Sequence, residues 1–173
     1  MRNSSLLNEA YDLCEEGEYT LAIEYYDLVL HEDPDNVTAI INKGVTLQNL
    51  GKHKQAIKCY DAVLKLENDS IDALVNKGAA LHTLGKYSEA IDCYDKALKV
   101  QPKYAIAIAY KGLSLGELGF LKEAIKCFNE SLRIDKKYDI ALDNKEIALE
   151  LLRENAKLKP KLRKNTTKQR NKD

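Results

Sequence analysis

Apolar residues recur along this chain at spacings of three and four, which keeps them on one face of an α-helix. The pattern is plain over 40–50 and 56–66, where Ile40, Gly44 and Leu47, then Ala56, Tyr60 and Val63, alternate with Asn, Lys and Gln. It is interrupted at Gly17, Gly51, Gly85 and Gly119. Glycine accepts the left-handed conformation that closes a helix, so each interruption predicts a tight turn between two antiparallel helices. The expected class is all-α.

The helical pairs are copies of one another. Three stretches, AIINKGVTLQNLGKHKQAIKCYDAVLKL, ALVNKGAALHTLGKYSEAIDCYDKALKV and AIAYKGLSLGELGFLKEAIKCFNESLRI, begin at Ala39, Ala73 and Ala107, 34 residues apart. A weaker copy begins at Ser5. The repeats are bounded as 3–36, 37–70, 71–104 and 105–138. One hairpin cannot bury its apolar face alone, so the copies must stack. The segment DIALDNKEIALELLREN, from Asp139, repeats the first-helix pattern without a second helix, and Asp143, Lys145, Glu146, Glu150 and Arg153 give it a polar outer side. It is read as a capping helix over 139–156. A residue before proline disfavours helix, so fraying is expected by Pro160, with 157–173 a disordered basic tail.

Particular residues give the repeat a family likeness. Gly44, Gly78 and Gly112, with Ala10 in the first copy, fill a small-residue place in each first helix. Ala22, Ala56, Ala90 and Ala124 fill one in each second helix, followed four residues later by Tyr26, Tyr60, Tyr94 and Phe128. Pro34 and Pro102 stand where a helix-ending proline belongs. At a period of 34 this resembles the tetratricopeptide-repeat (TPR) family, over residues 3–138. Leu6, Ile40, Leu74 and Ile108 replace the family's tryptophan, and Asn68 and Lys136 replace two of its prolines. The resemblance implies a right-handed superhelix of helical hairpins, an α-solenoid whose first helices line a concave groove.

Under that resemblance, Asn8, Asn42, Asn76 and Asn144, with Tyr110 interrupting, fall at a groove-lining place. Some relatives hold the backbone of an extended peptide there with an asparagine ladder. An amide both donates and accepts, so it reads peptide backbone without demanding a sequence. The alternative is that the asparagines serve local geometry or persist through duplication. Leu7, Ile41, Val75 and Ala109 form one flanking column, and Tyr11, Val45, Ala79 and Leu113 another. The candidate peptide site is therefore Asn8, Asn42, Asn76, Tyr110 and Asn144, with Ile41, Val45 and Val75 as apolar walls. Lys43, Lys77, Lys111 and Lys145 read as packed stems with solvated heads, or as anion ligands. The carboxylate clamp of TPR co-chaperones needs basic residues where this chain has Leu7 or Ile41, Asp72 or Ile106, and Asn76 or Tyr110, so that clamp is absent.

Charge and chemistry narrow the reading. No apolar run reaches the ~18 residues of a membrane span, and the opening MRNSSLLNEAYDLCEE is no signal peptide, so a cytoplasmic location is expected. The net charge is zero, yet residues 157–173 hold eight Lys or Arg and one acid, leaving 19 basic and 26 acidic side chains in 1–156. Cys59, Cys93 and Cys127 recur every 34 residues. Equivalent helices lie roughly 10 Å apart, beyond the ~7 Å reach of a disulfide, so free, buried thiols are expected. His31, His53 and His82 lie in different helices, and no phosphate loop or metal-ligand spacing occurs. Neither catalysis nor a cofactor or metal is expected. The leading function is an adaptor that binds a protein or peptide segment, extended or helical, in the groove. Two alternatives stay open. One is an RNA- or ribosome-associated factor recruited by the tail through counterion release, though the tail has no aromatics to stack on bases. The other is a self-associating scaffold, a homo-oligomer.

Overall fold

The structure, a computed structural model, describes residues 2–170, with side chains over 3–157. Among the described residues every regular element is an α-helix. They are α1 (Arg2–Glu15), α2 (Tyr19–Glu32), α3 (Val37–Asn49), α4 (His53–Leu66), α5 (Ile71–Thr83), α6 (Tyr87–Val100), α7 (Ala105–Glu117), α8 (Leu121–Ile134) and α9 (Asp139–Arg170). The chain divides into two compact units, Met1–Pro102 and Lys103–Asp173. The first holds three hairpins, α1–α2, α3–α4 and α5–α6. The second holds the hairpin α7–α8 and the capping helix α9.

Each hairpin closes because Gly17, Gly51, Gly85 and Gly119 all adopt positive φ, between 71° and 82°. The apolar stripes then face inward. In the first unit Ile40, Leu47, Ala56, Tyr60, Val63, Ala73 and Ala80 form one buried cluster that spans two hairpins. Gly44 explains how α3 and α4 come so close: a Cβ there would lie 2.6 Å from Cε1 of the Tyr60 ring. The tyrosine hydroxyl donates to Oε1 of Gln48, so the ring is held at both ends. Asn36 starts α3 by accepting the Ala39 N–H at 2.9 Å, which satisfies one of the helix's open donors.

Ion pairs tie successive hairpins within the first unit. Lys43 of α3 pairs with Asp27 of α2, and Lys77 of α5 pairs with Asp61 of α4 at 2.5 Å. The lysine heads at these two places are thus engaged by a neighbouring carboxylate rather than simply solvated.

In the second unit Ala109, Leu121, Ala124 and Phe128 are buried together with Ala141 and Ala148 of α9. Ser131, fully buried, donates to the Ala105 carbonyl at 2.9 Å. The capping helix does not end by Pro160: its backbone is helical through Arg170. Proline removes one helical hydrogen bond, but the Lys, Leu, Arg and Gln residues around it are good helix formers. The contacts expected of the basic tail lie outside the described side chains, and 171–173 lie outside the described residues.

Candidate peptide-binding groove

The first helices of the first unit carry Asn8, Asn42 and Asn76 at equivalent turns. Asn8 is exposed, and Asn42 and Asn76 are half-buried. Within the described residues no hydrogen bond engages the amide of Asn42 or Asn76. Asn42 and Val45 of α3 line a cleft of about 400 Å³ with Tyr11 and Glu15 of α1, Tyr19 of α2 and Asn49 of α3. Tyr11 is 58% exposed and Val45 37% exposed, so both offer apolar surface to a ligand.

The floor of this cleft is a buried polar contact. Thr46, only 2% exposed, donates to the Asn42 carbonyl at 2.8 Å and lies 3.2 Å from the Cys14 sulfur. Cys14 in turn lies 3.8 Å from the Tyr26 hydroxyl. Burial, then the Cys14 contact, pushes the Tyr26 phenol well above its ordinary range. The Tyr26 phenol therefore stays protonated and neutral near pH 7.

The other expected site residues are placed less favourably. Val75 is only 6% exposed, so it presents almost no wall to a groove. Ile41, one repeat earlier, is half-buried and packs against the Ile40–Leu47 core. In the second unit Asn144 spends one amide N–H on its own helix, donating to the Ile140 carbonyl at 2.8 Å. Its place still lines a pocket of about 200 Å³ with Leu113, Leu121, Ile147 and Leu151. Tyr110 is half-buried, and its hydroxyl interacts with that of Tyr138.

The cysteines are free. Cys93 is buried, and Cys59 and Cys127 are half-buried. Burial raises the thiol pKa of Cys59 and Cys93 above the ordinary 9.0, with Lys43 and Lys77 opposing the shift in turn. Among the described residues no group of three or more His, Cys, Asp or Glu could hold a metal ion. No helix there is long and apolar enough to cross a membrane.

Models of the tetratricopeptide repeat match residues 13–77, 71–104 and 111–138. The chain belongs to the tetratricopeptide-repeat family. TPR folds generally mediate protein and peptide binding through their groove and are not catalytic. A crystal structure of MamA protein is similar with a TM-score of 0.75 at 24% identity, over 86% of this chain and 81% of that one. MamA 41-end from Desulfovibrio magneticus RS-1 gives 0.72 at 20% identity, over 92% and 96%. The first TPR of Spaghetti, bound to the HSP90 peptide SRMEEVD, gives 0.65 at 22% identity, over 69% and 95%. At these identities the likeness is one of fold. No curated protein matches the chain.

Proposed function

We propose that this TPR chain is an adaptor that holds a segment of another protein along the first helices of its first unit. Asn42 and Asn76 bond the segment's backbone, Asn8 extends the row, and Tyr11 and Val45 contact its side chains. The observation that carries this reading is the cleft beside α3. An amide with no partner among the described residues sits there next to exposed apolar surface. A desolvated amide gains most from a ligand that satisfies both its donor and its acceptor. Val75 and Ile41 support the helices that carry the asparagines and contribute little contact of their own.

The Spaghetti TPR carries an acidic peptide. Such a ligand suits this cleft poorly, because Glu15 lines it and residues 3–36 contain no Lys or Arg. An apolar or basic segment fits the same surface.

A photo-reactive residue placed at Val45 tests the site. In the native cell it is expected to trap one or a few protein partners. The same residue at Lys58, exposed on α4, is expected to trap none of them. Identical adduct patterns from the two positions would remove the groove from the account.

A further inference from the structure

The charge of this chain is divided by position more sharply than its zero total suggests. Residues 3–36, the first hairpin, hold ten Asp or Glu and no Lys or Arg. Residues 37–156 hold sixteen acidic and eighteen basic side chains, close to neutral. Residues 157–173 hold eight basic and one acidic. One hairpin is thus strongly negative and one terminal segment strongly positive, with a nearly neutral stretch between them.

The negative hairpin also carries a shaped receptor. Its cleft of about 400 Å³ has Tyr11, Glu15 and Tyr19 on one side and Val45 and Asn49 on the other. Tyr11 is the only aromatic residue at its place in the repeat: Val45, Ala79 and Leu113 stand there in the later copies. An exposed tyrosine face attracts a cationic head, and Tyr11 with Val45 gives apolar ground for a lysine stem. Glu15, Glu16, Asp12 and Glu9 are all exposed on α1 or just beyond it, free to meet a basic chain.

The positive segment is presented for such an encounter. α9 contributes Ala141, Ala148 and Leu152 to the core of its own unit. Beyond that, residues 153–157 are all exposed while the helical backbone continues to Arg170. At ~1.5 Å per residue, 157–170 makes a rod about 20 Å long. Its sequence holds Lys157, Lys159, Lys161, Arg163, Lys164, Lys168 and Arg170, with Leu158 and Leu162 among them. A segment of this composition, cationic with two leucines, complements an aromatic cleft flanked by carboxylates.

We infer that the acidic cleft of the first hairpin receives the basic segment 157–170 of a second copy of this chain. The zero net charge of the whole chain means that two copies do not repel at long range, while the opposed patches steer them together. The opposed charges of the first hairpin and of 157–173 do not involve the asparagine row. A tail seated beside Asn42 would compete with a partner segment, so self-association and partner capture are distinguishable by separate readouts.

Sedimentation velocity on the full chain, over a hundredfold range of concentration, tests this directly. Screening shortens electrostatic reach from about 10 Å at ~0.1 M salt to about 3 Å at ~1 M. The wild-type chain is expected to form species heavier than a monomer at the lower salt, with affinity at least tenfold weaker at the higher. Glu15→Lys with Glu16→Lys should stay monomeric, and so should Lys161→Glu with Arg163→Glu and Lys164→Glu. Lysine at the C-terminal end of α1 complements the helix dipole, so the first variant is expected to keep wild-type helicity. Mixing the two reversed chains restores complementary patches on different molecules and should regenerate the heavier species. The inference is overturned by any of three results: a wild-type monomer at every concentration in low salt, reversed chains that associate as well as wild type, or a mixture that stays monomeric.

Discussion

Replacing Gly44 by alanine adds one methyl group at the closest approach of α3 and α4. That methyl carbon would lie 2.6 Å from Cε1, 2.9 Å from Cζ and 3.2 Å from the hydroxyl oxygen of Tyr60. Carbon atoms rest at ~3.5–4.0 Å, so the helices must part by about 1 Å or the ring must move. The ring is 0% exposed and its hydroxyl is bonded to Gln48, so movement opens a void and breaks a hydrogen bond. Overpacking of this kind costs about 1–3 kcal/mol, and the better helix propensity of alanine returns about 1 kcal/mol. The net loss is expected near 1 kcal/mol, at the low end, because the first hairpin seats Ala10 in one core with Tyr26. Alanine at the equivalent place of the first hairpin indicates that a methyl group there can be accommodated. Gly116→Ala is the control. Its nearest neighbour would be the Ala124 methyl at 4.0 Å, so propensity acts alone and stability should rise by about 0.5–1 kcal/mol. Urea unfolding followed by circular dichroism measures both. If Gly44→Ala proves at least as stable as wild type, close packing of glycine against Tyr60 is not what sets the helix spacing.

Further outcomes follow from the same contacts. Ser131→Ala removes a fully buried hydroxyl and its bond to the Ala105 carbonyl, and should cost about 1 kcal/mol in urea unfolding. Lys77→Met breaks a partly exposed ion pair with Asp61, so its cost should stay below about 1 kcal/mol and shrink in high salt. Cutting the chain after 138 removes Ala141 and Ala148 from the second core and should cost several kcal/mol (~25 cal/mol per Å² of apolar area exposed) or cause aggregation, whereas cutting after 156 should leave the melting temperature nearly unchanged. Burial raises the pKa of Cys59, Cys93 and Tyr60 above their ordinary 9.0 and 10.0. A raised folded pKa favours the neutral, protonated form, so that stability is complete below pH 9 and falls as pH rises beyond it. The urea midpoint should therefore drop between pH 9 and 11, and less steeply in Cys59→Ala with Cys93→Ala.

The helices and turns were legible because each is written four times. A 34-residue register places Gly17, Gly51, Gly85 and Gly119 at four equivalent turns, and all four adopt the positive φ that only glycine takes easily. The small-residue place at Gly44 and the aromatic place at Tyr60 likewise announced a close helix pair. The ion pairs were harder to see. Lys43 and Lys77 look like solvated lysines within their own helices, yet each follows an aspartate, Asp27 or Asp61, by sixteen residues. That recurring offset was the available signal, and it joins different hairpins. The walls of the groove were not legible, because equivalence in the repeat does not give equal exposure. Tyr11 and Val45 are exposed where the column was expected to be, while Ile41 is half-buried and Val75 covered. Helix α9 passes Pro160 because sequence rules set only the local cost of proline, which good helix formers on both sides offset.

The asparagine row is the feature on which the proposed partner binding rests. Once a partner segment is in hand, its affinity for wild type and for Asn42→Ala with Asn76→Ala can be compared by calorimetry. Each lost amide should cost about 1–3 kcal/mol, because a backbone group of the partner is left unpaired in a desolvated site. The double variant is therefore expected to bind at least tenfold more weakly with unchanged helical signal, while reversing tail charges does not weaken partner binding. Equal affinity of the double variant and wild type would contradict the central claim and leave the asparagines as a by-product of repeat duplication.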